Sequence, residues 1–182
     1  EKNSTTTINA KLFEKISAKG ENKVLEYFKQ ETDSKVSSVT LETDAKLIYN
    51  GKHAEMSDEK LNIKDKSGEI VVLDTDRNGK YDIVFVTEYK NIVVEEVTAT
   101  NKIIDKYGAP AIKLDEDDED LRYTITRGYE VLSLSDLKEY DVLSVAVSED
   151  KMLYKIVVTN ASVEGKVSGI DSEGVYINNE HY

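Results

Sequence analysis

Seven short apolar or alternating runs follow one another closely: IVVLDTD (70–76), YDIVFVTEY (81–89), NIVVEEVTA (91–99), NKIIDKY (101–107), YDVLSVAVS (140–148), MLYKIVVT (152–159) and GVYINNEHY (174–182). Period-two alternation in runs this short is what a strand with one buried face requires. The turn clusters KSGE, DRNG, YGAP, SEDK and DSEG fall between or beside them. Strands that succeed strands predict an all-β chain, with antiparallel hairpins forming small barrel or sandwich modules.

Helical signals are sparse. SLSDLKEYD fits a single turn, with Ser135 or Asp136 as its cap and Leu134 and Leu137 facing inward. NAKLFEKISAKGENKVLEYFKQ places Leu12, Phe13 and Ile16, or Val24, Leu25 and Phe28, at helical spacing. It reads equally as strand–turn–strand around Lys19-Gly20 or Glu21-Asn22. The β-rich neighbourhood favours strands, so at most one or two short helical turns are expected. The pattern divides into a β module over 1–95 carrying the 69–89 hairpin and a small barrel-like module over 96–160. A hairpin over 161–182, around Ser172-Glu173-Gly174, either opens a further module or returns to an earlier one. No repeat of fixed period stands out. The sequence closes on VYINNEHY, straight after a strand, which leads us to expect a segment of a longer protein.

With 182 residues and no cysteine, the chain is long enough to bury a core without covalent staples. It offers no thiolate for catalysis or zinc. The formal charge of −12, from 36 acids against 24 bases, argues against nucleic acid, whose binding needs a basic face, and against anionic lipid. No apolar stretch approaches the ~20 residues of a membrane-spanning helix.

The densest chemistry lies in DTDRNGKYD (74–82). Calcium takes six to eight oxygens, and alternating acidic or amide side chains in a tight loop can point at one centre. Asp74, Asp76 and Asn78, the Lys80 carbonyl and Asp82 are the expected Ca²⁺ ligands, with Gly79 permitting the bend. Phe85 stands where an EF-hand needs its bidentate glutamate, and strands rather than helices flank the loop. The nearer analogue is therefore the calcium loop of a β-hairpin, D-x-[DN]-x-[DN]-G-x-x-D-[LIV], completed by Ile83. The competing reading is an acidic hairpin tip, since Asn78-Gly79 is a strong type I′ turn signal and Arg77 and Lys80 offset part of the charge.

Elsewhere, DEDDED (115–120) reads as a solvated loop rather than a cation collector. His53 and His181, the two histidines, have no nucleophile motif beside them and read as surface residues. The eleven tyrosines lie along strand patterns and suit cross-strand packing, and tryptophan is absent. Walker and G-x-G-x-x-G loops are missing. Nothing assembles a catalytic set, so a non-catalytic structural or interaction module is expected. The alternatives are a carbohydrate- or peptide-binding module, or a two-carboxylate hydrolase of cell-wall glycans.

The order of several pieces carries a resemblance: KLIYNGK (46–52), SGEIVVLDTDRNGKYDIVFVTEYKNIVVEEV (67–97), NKIIDKYG (101–108), SLSDLKEYDVLSVAVSEDK (133–151), KIVVTNASVEGKVSGID (155–171) and VYINNEHY (175–182). Together they resemble a β-rich module of secreted Firmicutes (clostridial and bacillar) cell-surface proteins that accompanies S-layer homology domains. The resemblance covers about residues 40–182. In such relatives the loop often reads D-x-D-G-D-G-x-Y-D, where this chain has Arg77 and Asn78. It implies a place at the wall of a Gram-positive bacterium and partners among wall proteins, surface-layer proteins and glycans. The anchoring domains themselves are not among these residues.

Overall fold

The computed structural model describes residues 4–115, 117–159, 163–172 and 174–182. Strands β1 (Ser4–Asn9), β2 (Phe13–Lys19), β3 (Asn22–Tyr27), β4 (Ser37–Tyr49), β5 (Lys52–Ala54) and β6 (Ser67–Asp74) build the first half. The long strand β7 (Tyr81–Val97) continues into the second half, which adds β8 (Lys102–Asp105), β9 (Ile112–Lys113), β10 (Arg122–Arg127), β11 (Glu130–Leu132), β12 (Val142–Val147) and β13 (Leu153–Thr159). These thirteen strands form one sheet, whose main path runs β11-β10-β13-β12-β7-β4-β3-β2. A separate three-stranded sheet follows, β14 (Val167–Ile170), β15 (Val175–Ile177) and β16 (Glu180–His181). Its expected turn spans Ser172 to Gly174, and Glu173 lies outside the described residues.

The all-β expectation holds, and the segment from Phe13 to Tyr27 forms strands β2 and β3 rather than a helix, as its neighbourhood suggested, with a 3-10 turn at Ala10–Leu12 before them. Two details differ. Among the described residues no barrel closes. Two ladders are parallel, β4 on β7 and β10 on β13, where hairpins alone would give antiparallel pairs. The chain can make them because long crossover segments separate the partners.

The alternation along β7 explains how one sheet serves two cores. Val84 and Val86 enter the first core, and Ile92 and Val94 enter the second. All four share one parity of the strand, so they lie on the same face. Between them that face carries Glu88 and Lys90, and the apolar surface is interrupted there. The first core gathers Ile8, Phe13, Leu25, Leu41, Leu47, Leu61, Ile63, Ile70 and Val72. The second gathers Ile103, Leu114, Ile125, Leu134, Leu143, Ile156 and Val158. Residues 95 and 96, where the sequence suggested a division, lie inside β7.

Among the described residues the helical content is a four-residue helix α1 (Asp58–Leu61) and two 3-10 turns, Ala10–Leu12 and Leu134–Asp136. Ser57 caps α1 by accepting the Lys60 amide at 3.3 Å, which seats Leu61 in the first core. In the 134–136 turn Leu134 and Leu137 face inward as expected, but the cap is Ser133. The Asp136 carboxylate reaches back to the Ser133 amide at 2.8 Å and hydroxyl at 2.6 Å. One residue of register decides this, because Ser133 still has extended backbone while Ser135 is already inside the turn.

Candidate functional site

Residues 75–80 connect β6 to β7, and the hairpin brings the expected ligands into one small loop. Asp74 is 4% exposed and ends the inward row Ile70, Val72, Asp74. Its two oxygens accept the Arg77 amide at 2.6 Å and the Gly79 amide at 3.1 Å. Asp76 accepts the Asn78 amide at 3.2 Å and the Asn78 side-chain amide at 3.0 Å. Asn78 accepts the Lys80 amide at 2.8 Å and donates to Glu42 at 2.5 Å. Asp82 accepts the Thr75 amide, 3.3 Å from each oxygen, and the Thr75 hydroxyl.

The loop thus spends its side-chain oxygens on its own amides. Among the described residues no group of three or more histidine, aspartate or glutamate side chains is placed to hold a metal ion. The turn is also not a two-residue type I′. That turn needs positive φ at both central residues, whereas here φ is positive at Arg77 (66°) and Gly79 (85°) and not at Asn78. The Asp74 carboxylate sets this longer course by binding amides three and five residues ahead.

A second anchored loop carries no motif. Asp105, at the end of β8, accepts the amides of Val93 (2.8 Å), Tyr107 (3.0 Å) and Ala109 (2.8 Å). The Ala109 and then the Val93 hydrogen bonds hold its carboxyl below the usual carboxylate range. Asp141, also buried, accepts the Lys138 amide at 2.9 Å and the Arg127 guanidinium at 3.0 Å. YGAP announces a turn, but nothing in it says that the carboxylate before it is buried.

The other sequence candidates lie apart. His53 sits on β5, and His181 sits on β16 with its ring 4.8 Å from Tyr176 and Nε2 3.6 Å from Asp171. Of the acidic run, Glu116 lies outside the described residues, and Asp115 pairs with Lys113. Tyrosine packing along strands holds only in part. Tyr107 (78% exposed), Tyr129 (108%) and Tyr140 (61%) stand in turns, and Lys106 lies 4.3 Å from the Tyr140 ring centre.

One concavity was not foreseen. It is a cleft of about 380 Å³ beside the charged interruption of β7, between the two cores. Tyr49 donates to Glu88 at 2.8 Å, and Lys66 pairs with the same oxygen at 2.8 Å. Burial and then the Glu88 hydrogen bond push the Tyr49 phenol above its ordinary value. From the second half come Val145, Val147, Ser148, Glu149 and Lys151. Asn50 stitches the wall: it accepts the Glu88 amide at 2.9 Å and donates to the Val147 carbonyl at 2.8 Å. Lys52 with Asp150, and Lys60 with Glu149, cross the same seam. The sequence signal was available in VFVTEYKNIVV, where two charges occupy inward positions of an unbroken alternation.

No family model, no curated protein and no solved structure matches the chain.

Proposed function

We propose that this chain is a non-catalytic structural and interaction module of a bacterial cell-surface protein. It acts at the wall of a Gram-positive bacterium, among wall proteins, surface-layer proteins and glycans. The observation that carries the reading is the use made of the buried polar groups. Among the described residues, Asp74, Asp105, Asp141 and Ser148 are the buried polar ones, and each of them binds backbone amides at turns. A hydrolase working with two carboxyls needs them facing each other across a substrate, about 5–10 Å apart. Here burial is spent on shape.

The ordered resemblance to secreted surface modules supplies the address, and the acidic surface suits an exposed, soluble face. Co-sedimentation of the full chain with purified Gram-positive walls, alongside an assay for reducing ends, tests both parts. Retention on the walls without release of reducing ends is expected. Release of sugar overturns the non-catalytic part, and absence of retention overturns the surface part.

A further inference from the structure

Strand β1 pairs with β6 along its whole length, from Ser4 opposite Asp74 to Asn9 opposite Glu69, without a register shift. Its other side has no strand beside it, and among the described residues no backbone hydrogen bond outside the β6 ladder reaches residues 4–8. A free edge is a template for another strand, and proteins ordinarily blunt such edges with charge, bulges or brevity. The other edges of this molecule do so. β2 carries Glu14, Lys15 and Lys19 and shifts register between Phe13 and Lys15. β5 and β11 have three residues, β9 and β16 two, and the four-residue β14 shifts register between Val167 and Gly169. β1 has six residues, STTTIN, with no charge, no proline and no bulge. Among the described residues it is the one edge of more than four residues left unguarded in this way.

We propose that this edge takes β1 of a second copy of the chain, antiparallel and centred on Thr6. A two-fold contact opposes each residue i to a residue j, and j to i. Centred on Thr6, it sets Thr5 against Thr7 of the second copy, Thr6 against its own image and Ser4 against Ile8. Every opposed pair is uncharged, and threonine facing threonine is a favourable cross-strand pair. That self-match selects a second copy as the occupant. The chain is 33% charged, yet this strand presents nothing that selects a charged partner and nothing that its own copy repels. The faces also agree. Opposed residues in an antiparallel ladder lie on one face of the sheet, so the exposed Thr5 and Thr7 meet on the outer side and both copies keep Ile8 on the core side. The register stops at Ile8 and leaves Asn9 to cap the following 3-10 turn, where its side chain accepts the Lys11 amide at 3.0 Å.

A strand edge of this length makes a small contact, well under the ~1,200 Å² of stable complexes, so the dimer is weak and depends on concentration. Each copy also carries −12, so added salt, which screens that repulsion, strengthens it. The inference goes beyond the wall reading and stands or falls without it. Amide chemical shifts of the ¹⁵N-labelled full chain are followed from about 20 µM to about 1 mM, a range that spans weak protein contacts. Concentration-dependent changes centred on residues 4–8 are expected, with intermolecular NOEs between the Thr5 and Thr7 methyls in a mixture of labelled and unlabelled copies. Thr5→Lys/Thr7→Lys puts like charges opposite each other twice and weakens association about tenfold or more. Thr5→Lys/Thr7→Glu puts opposite charges there and restores it. Val131→Lys, on the β11 edge, leaves it unchanged.

Two double variants at the same exposed positions separate pairing from folding, because the charge swap would not rescue a lost fold. The proposal is overturned if no concentration-dependent change appears by about 1 mM, if the changes centre on another edge, or if salt weakens the contact. It is also overturned if the two double variants associate alike, or if Val131→Lys weakens association as much as Thr5→Lys/Thr7→Lys. Changes at β1 that follow added wall extract and not protein concentration would assign the edge to a foreign strand and end the self-pairing.

Discussion

Each half of the molecule ends an inward strand row on a buried aspartate, and the two loops so anchored make an instructive pair. Asp74 holds two amides of a six-residue hairpin loop, and Asp105 holds three amides gathered from its own turn and from β7. The first sits in a sequence that looks like a calcium loop, and the second sits in no motif at all. Their chemistry is nonetheless the same: a carboxylate substitutes for missing strand partners where the ladder stops. Asp105 goes further, because its Val93 contact ties the β8 end to the shared strand β7. The first loop is local, while the second braces the junction side of its half.

The cores on either side of that junction give the largest expected effect. Ile70→Ala and Ile156→Ala each remove a fully buried side chain, one from each cluster, and each is expected to cost about 2–5 kcal/mol. Because β7 contributes to both clusters, a single unfolding transition is expected to move in both variants. Calorimetry that resolves two transitions, with each variant shifting only its own, would show that the halves fold independently.

The aspartates come next. Asp74→Ala leaves the Arg77 and Gly79 amides without their acceptor and is expected to cost about 1–3 kcal/mol. Asp105→Ala strands three amides and is expected to lower the melting temperature more than Asp74→Ala does. A reversed order in thermal melts would mean that the hairpin loop, and not the β8 turn, is the stiffer support. Calcium sharpens the contrast. At about 1 mM, within the range of weak extracellular calcium loops, it is expected to leave the melting of wild type and Asp76→Ala unchanged. A rise in the wild type alone would show that the loop exchanges its amide contacts for an ion.

Acid separates the halves more gently. Asp105 and Asp150 both have folded-state pKa values below the ordinary carboxylate, Asp105 through backbone amides and Asp150, at about 2, first through Lys52. A depressed carboxylate stabilises the fold above its unfolded pKa and loses that contribution as pH falls through its folded value. Stability is therefore expected to decline as pH drops from about 4, the ordinary aspartate value, toward about 2. The decline should be shallower in Asp105→Asn. An identical acid profile in that variant would remove the backbone-amide account of the Asp105 shift.

Much of this fold was legible because period-two alternation is a local property. IVVLD and VLSVAV declare their inward residues without help from the rest of the chain. The parallel ladders were not legible, since no short window reports which distant strand lies alongside β4 or β10. The same limit hid the Asp105 brace and the cleft. Both depend on what the second half brings to β7, as with Val147 facing Asn50. The 74–82 loop is ambiguous in the opposite way. Its spacing is compatible with a metal or with amide capping, and only the direction of each oxygen distinguishes the two. The four-residue helix at Asp58–Leu61 is too short for periodicity to register, though Ser57 is a good N-cap.

The smallest expected effect tests how tightly the halves meet. Gly51 follows Asn50 in the β4–β5 turn with φ of 87°, and a Cβ placed on it would lie 2.6 Å from Cδ2 of Leu153 in the second half. Gly51→Ala therefore carries two costs. One is the left-handed backbone, about 1–2 kcal/mol for a residue with a Cβ. The other is displacement of the Leu153 methyl, which is the far end of a flexible side chain and can turn aside. In a Leu153→Ala background only the first cost remains. The double-mutant cycle is then expected to show a coupling of about 0.5 kcal/mol or slightly more, the size typical of residues in contact. Zero coupling would mean that the turn and β13 do not touch in solution, and that Asn50, not packing at Gly51, closes the seam.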